Sequence, residues 1–266
     1  MNGMYETGAD VRKACRRGNL TGPTPGLAPG FVQANLVILP QDWADDFFRF
    51  CRRNPQPCPL LDVTSPGDWE PRAVAPGADL RTDLPKYRVW RNGEMIEERT
   101  DILDLWQDDL VCFLIGCSFT FERALQDAGL PIRHIDEGRN VPMYVTSQDC
   151  KPAGRFHGKL VVSMRPLTLA QGKIAAGICA AMPLAHGAPI HHGDAWALGI
   201  TDIAQPDFGD AVTIRPGEQP MFWACGVTPQ AALAAAKPPF AITHSPGHMF
   251  LTDLTDRDLM EEVAVK

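Results

Sequence analysis

Apolar residues recur along this chain at two spacings, and the switches between them divide it into strands and helices. "FVQANLVILP", residues 31–40, is an almost unbroken apolar run closed by proline, the pattern of a strand buried on both faces. "QDWADDFFRFCRRN" follows directly and is amphipathic at helical spacing, with Trp43, Phe47, Phe50 and Cys51 on one face. Residues 6–18 predict a helix that stops at Gly18. Residues 54–86 are rich in Pro, Gly and Asp and predict an extended crossing over the surface. In "KYRVWRNGEMIEE" the pair Asn92-Gly93 predicts a hairpin, because both residues tolerate the positive φ its two-residue turn requires.

Three later stretches share one plan. "DDLVCFLIGCSFTFERALQDAGLP" reads as a strand, a turn at Gly116-Cys117 and a helix capped by Ser118 that ends at Gly129. "GKLVVSMRPLTLAQGKIAAGICAAMP" reads as a strand reaching Arg165, then a helix opened by the capping box Thr168–Gln171. "QPMFWACGVTPQAALAAAKPP" reads as a strand, a turn at Cys225-Gly226 and a helix with Thr228 as cap and Pro229 in its first position. Strands alternating with helices argue for an α/β fold with mixed sheets and flanking helices. The Gly-rich stretch 183–220 predicts loop with short strands, and Pro246-Gly247 predicts a type II turn that brings His244 and His248 together.

Composition narrows the function classes. The 266 residues are 45% hydrophobic and 21% charged, enough for one large domain with a buried core. Net charge is −7, and the basic cluster Arg12, Lys13, Arg16 and Arg17 reads as a solvated helix face, so no nucleic-acid partner is expected. No apolar run is long enough to span a membrane, and the first 20 residues lack the apolar centre of a secretory signal. A cytoplasmic protein is therefore expected. The eight cysteines form no C-x-x-C and lie mostly inside apolar runs, as buried reduced thiols do.

Candidate chemistry gathers at element ends. A helix that starts straight after a strand offers unpaired N–H groups to anions. Ser118 and Thr228 mark two such starts and Arg165 reaches the same edge from a third strand, which together suggest a site for a small acid with more than one carboxylate. "HGAPIHHGDAWALGITDIAQPDFGD" concentrates His192, Asp194, Asp207 and other acid–base residues among glycines, some of them turn formers. With no H-E-x-x-H and no regular ligand spacing, neither a metal nor a cofactor is expected. "GCSFT" approaches the G-x-S-x-G nucleophile elbow, but Thr120 replaces the last glycine; a serine hydrolase using Ser118 is the alternative reading, and a non-catalytic carboxylate-binding protein a third. "GRFHGKL" falls short of a P-loop. Cys117 and Cys225 stand at helix starts, where thiolates are favoured, but read more simply as buried thiols.

At "APGFVQANLVILP", "NPQPCPLLDV", "GADLRTDLPKYRVW", "FLIGCSFTFE", "RNVPMY", "VVSMRPL", "GITDIAQPDFGD", "FWACGVTPQ" and "ITHSPGHMFLTDL" the chain resembles the D-glutamate cyclase family, over almost its whole length. The resemblance implies an α/β protein of two intertwined subdomains and a hydro-lyase reaction, the closure of D-glutamate to 5-oxo-D-proline and water. It supplies motifs rather than roles. With that substrate in view, Arg165, Arg139 and Asn140 are expected to hold the α-carboxylate and the helix starts at Ser118 and Thr228 the developing oxyanion. His244 or His192, oriented by Asp194 or Asp207, is expected to move protons. The expected partner is a small carboxylate, in a metal-independent enzyme for which the base rate among soluble oligomers points to a homodimer.

Overall fold

The apolar run at 31–40 forms β1 (Phe31–Pro40), and the larger sheet is assembled around it. A computed structural model describes residues 5–261. Before β1 lies α1 (Gly8–Arg16), opened by a capping box between Thr7 and Asp10. After it come α2 (Gln41–Arg53), β2 (Leu60–Val63), the hairpin of β3 (Tyr87–Arg91) and β4 (Glu94–Arg99), β5 (Leu110–Gly116), α3 (Phe119–Asp127) and the single turn α4 (Arg133–Asp136). The middle of the chain gives β6 (Met143–Asp149), β7 (Lys159–Thr168), α5 (Leu169–Ala180), the two-residue β8 (His191–His192) and β9 (Glu218–Ala224). Then follow α6 (Thr228–Ala236), β10 (Ala241–His244), β11 (Phe250–Thr255) and α7 (Asp256–Glu261).

These elements make a mixed α/β fold with two sheets. The larger runs β2-β5-β1-β10-β3-β4, with β11 also paired to β1; the smaller runs β6-β7-β9-β8. All the registered pairs are antiparallel. The smaller sheet is made entirely from chain that lies between β5 and β10 of the larger one. Because β10 takes the second half of β1 (Ile38 opposite Ile242) and β11 the first half (Ala34 opposite Phe250), the chain between them bulges out beside Asn35 and Leu36.

Burial on both faces explains the continuous apolar pattern of β1. Leu36 and Ile38 enter one core with Leu114, Val89, Ile242 and Phe250, while Val37 and Leu39 enter the other with Phe47, Phe50, Phe113 and Phe156. The smaller sheet packs Met221 and Trp223 against Phe121, Leu125, Ala175 and Cys179 of α3 and α5. Its other face, Tyr144, Val162, Met164 and Phe222, is covered by Leu198 and Ile200 of the 183–220 loop.

Two expectations change. Residues 54–86 are more than a surface crossing: they supply β2 and bury Val74, Ala75, Ala78, Leu80 and Leu84 in the first core. Each apolar side chain there stands among turn residues, so no period betrays it. The buried Tyr87 hydroxyl fixes this coil, donating to Leu80 O (2.9 Å) and accepting from Leu84 N (3.2 Å). Nor is the basic cluster of α1 a wholly solvated face. Arg12 is buried and pairs with Asp253, and Arg16 pairs with the buried Asp83. Both predicted turns are present: Asn92 and Gly93 have φ of 51° and 82°, and Gly247 has φ of 78° in a turn closed by His248 N donating to Ser245 O at 2.9 Å.

Candidate functional site

Where the two sheets meet, their strand ends open into a narrow, partly enclosed cleft. Its wall on the side of the larger sheet is Asn35, Cys117, Ser118 and His244; on the side of the smaller sheet it is Asn140, Cys225 and Gly226.

The two walls are built alike. Gly116 ends β5, and Cys117-Ser118-Phe119-Thr120 turns into α3; Ala224 ends β9, and Cys225-Gly226-Val227-Thr228 turns into α6. In each turn the threonine ties the helix start to the strand beside its own. Thr120 Oγ1 accepts from Gln33 N on β1 (3.3 Å), and Thr228 Oγ1 accepts from Val161 N on β7 (3.1 Å). The correspondence C-x-[F/V]-T was readable in the sequence but is too short to stand out as a repeat.

Asn35 joins the walls. Its Nδ2 donates to Gly116 O at 2.7 Å, and a Cβ on Gly226 would lie 2.2 Å from that same nitrogen. Glycine is required at 226 for this approach, not for its backbone angle. Gly116 is pinned likewise, since a Cβ there would meet Leu184 O at 1.7 Å. The amides of Ser118 and Gly226 find no acceptor among the described residues, at the positive ends of two nine-residue helices.

His244 closes the floor of the cleft from the end of β10. It is almost fully buried, and its Nδ1 lies 3.2 Å from Leu36 N and 3.3 Å from Leu36 O, which hold the ring in place. Burial lowers its pKa to about 4, so the imidazole is neutral at pH 7. Burial likewise pushes the thiols up, Cys117 to about 12 and Cys225 to about 11; the nearby Phe119 and Val227 amides pull the other way.

Of the residues singled out in the sequence, the structure brings Ser118, Asn140 and His244 to this cleft. Arg165 stands one layer behind. It is 1% exposed, its Nε and Nη2 donate to Glu122, Nη1 donates to Ser163 Oγ at 3.0 Å, and Nη2 also reaches Ser118 Oγ at 3.1 Å. Its guanidinium is thus occupied by a carboxylate of the protein itself. For Glu122, burial is the largest influence and would raise its pKa, but His134 at 3.3 Å and Arg165 together outweigh it and hold the carboxyl at about 2. Nothing in the spacing of Glu122 and Arg165, 43 residues apart, announces that pair.

The other expected residues lie elsewhere. Thr228 is fully buried and is not a side-chain cap; Val227 occupies the N-cap position. Ser118 does occupy that position but makes no capping bond, because its hydroxyl turns to Arg165. Arg139 is exposed and donates to Ala211 O beside Glu137. His192 is exposed on the edge strand β8, opposite Met221. Asp194 caps the short helical turn 195–198 through Trp196 N (2.9 Å), and Asp207 accepts from Val145 N at the edge of β6 (2.7 Å). The acids of this loop fasten backbone; among the described residues no group of three His, Cys, Asp or Glu side chains is arranged to hold a metal ion.

Comparison with known proteins agrees on one family. A family model described as D-glutamate cyclase matches residues 111–253, which take in both turns of the cleft. A protein named as a candidate hydro-lyase from Geobacillus kaustophilus is 60% identical over 250 residues, 94% of this chain and 95% of the relative. Another so named, from Rhodococcus jostii, is 56% identical over 260 residues, 98% of each. Among solved structures, a nitrogen repressor-like protein from Methanococcus jannaschii aligns over 89% of this chain at 8% identity, with a TM-score of 0.36, too shallow a likeness to carry function.

Proposed function

This chain belongs to the D-glutamate cyclase family, and from that premise we propose that it is a hydro-lyase whose cleft closes D-glutamate to 5-oxo-D-proline. The observation that carries the reading is the pairing of two helix starts on one cleft beside a neutral buried histidine. A substrate with a carboxylate at each end fits two anion-favouring positions on one cleft.

The γ-carboxyl lies at the Ser118 amide and hydroxyl, the α-carboxylate at the Gly226 amide with Asn140 beside it. Folded between them, the α-amine attacks the γ-carbon. A C–N bond forms, the tetrahedral oxyanion is held by the Ser118 amide, and a C–O bond then breaks to release water. Both protons of the departing water come from the substrate's ammonium: His244 passes the first to the γ-carboxylate as the amine is freed and the second, from the attacking nitrogen, to the departing hydroxyl. Because the attack is intramolecular, holding the five-membered geometry removes most of the entropic barrier and no activated acyl group is needed. Arg165 and Glu122 orient Ser118 rather than touch the substrate.

The serine-hydrolase alternative finds no support at Ser118. The partner of its hydroxyl is a guanidinium, a donor that cannot act as a base.

Proton NMR of D-glutamate incubated with the protein is expected to show 5-oxo-D-proline accumulating, and His244→Gln to slow it about 100-fold or more with an unchanged melting temperature. D-Glutamate that raises the melting temperature but yields no lactam would leave a binding protein in place of an enzyme.

A further inference from the structure

The cleft presents two thiols, and lactam closure uses neither. Cys117 comes from the larger sheet and Cys225 from the smaller, each as the first residue of the repeated turn. Both line the same cleft, both are buried in the protein around it, and the Asn35 side chain abuts both turns. The repeat therefore does more than duplicate an anion site. It sets two equivalent proton-carrying groups in one cleft, one from each sheet, each beside a helix start that also offers an amide.

We propose that Cys117 and Cys225 are a pair of proton carriers on the two faces of the α-carbon of a bound amino acid, which gives the cleft a second activity: exchange and inversion at that carbon. The thiolate of one cysteine, formed by loss of its proton to water, removes the α-hydrogen as a proton. The electron pair of the broken C–H bond passes to the α-carbon and into the adjoining carboxylate, where the helix-start amides stabilise the added charge. The opposing thiol gives its proton to the other face, a new C–H bond forms, and that cysteine becomes the thiolate. Nothing is oxidised or reduced and no co-reactant is consumed. Substrates are small α-amino dicarboxylic acids, with the lactam a further candidate. The inference rests on the cleft being the ligand site but not on ring closure taking place there.

The pH dependence follows from the surroundings of the sulfurs. The Phe119 and Val227 amides lie near them, Cys225 and Glu122 near Cys117, Arg165 near both, and neutral His244 lines the same cleft. With the thiols pushed up to about 12 and 11, the basic form is scarce at neutral pH and grows tenfold with each unit below those values.

The test is D-glutamate, L-glutamate and 5-oxo-D-proline, each incubated with the protein in D2O and followed by NMR for loss of the α-proton and by chiral chromatography for inversion. Deuterium is expected at the α-carbon of at least one, with inversion, at a rate that climbs about tenfold per pH unit from 7 to 10. Cys117→Ser and Cys225→Ser should each cut inversion at least about 100-fold. The alanine variants at both positions and the melting temperatures check that folding is retained, and the pH profile of the unmodified protein stands whatever the variants do. Lactam formation without α-deuterium overturns the inference and leaves the cyclase reading standing; α-exchange without lactam does the reverse. Exchange that levels off below pH 7, or that survives both serine variants, assigns the base to His244 and overturns the thiol pair. Neither reaction with any of the three compounds overturns both readings.

Discussion

Arg165 and Glu122 show how far a side chain's role depends on what its neighbours have already claimed. As a lone arginine at a strand end, Arg165 invites a substrate carboxylate; in the fold it is sealed under Phe121 and Trp223 with a carboxylate of its own. Removing one member of a buried pair strands the other charge, so Glu122→Gln is expected to lower stability by about 3 kcal/mol, read from urea unfolding. A second expectation concerns acid. His186 and His244, each lowered to about 4 chiefly by burial, stay neutral in the folded protein while the unfolded chain takes up protons from pH 6.5 downward. More protons bound when unfolded means that stability falls as pH drops from 6.5 to 4, by up to roughly 3 kcal/mol per histidine. Glu122, held at about 2, continues the same trend from 4.5 to 2. Asp256, pushed up to about 6 by burial, opposes it between 6 and 3.8. Melting temperatures across pH 4–7 test the sum, and a curve flat in that range would contradict the burial of both imidazoles. None of these environments is legible from residue type alone, because burial of a histidine is decided by strands distant in sequence.

Elements were more legible than sites. β1, α2, the hairpin at Asn92-Gly93 and the capping box at Thr168–Gln171 each carry a local cause, so the chain declares them. The threonine at 228 has the right type and place for a cap and does something else, because the adjacent β7 offers Val161 a closer tie. The acid-rich loop at 186–210 looked like catalytic equipment. Its acids instead secure the edge of the smaller sheet and its own turns, work that polar residues perform whenever irregular chain must cover a sheet. At this scale the sharpest expectation concerns the contact between the two turns. Gly226→Ala forces its new methyl into Asn35 and should separate the walls, costing about 1–3 kcal/mol and abolishing turnover. An Asn35→Ala change made with it should recover part of the stability, measured by thermal unfolding, because the clash is removed even though the bridge to Gly116 is lost.

For the whole molecule, the α/β content could be read from the order of elements, but the partnership of strands could not. Pairing between β1 and β10 spans some two hundred residues, and no local signal in either strand names the other. The order in which the parts are made then acquires a meaning. A ribosome releases β1, β3 and β5 early, then the entire smaller sheet, and only afterwards β10, which fills the gap between β1 and β3 and carries His244, and β11, which pairs with the first half of β1. Until β10 emerges, β1 has one side unpaired and β3 is cut off from it. A chain ended after residue 239 should accordingly accumulate as insoluble material, whereas the smaller sheet already has all its strands. Synthesis thus leaves the gap for its final strands, and a prematurely terminated product, lacking His244, presents to the cell a sticky edge and no working cleft.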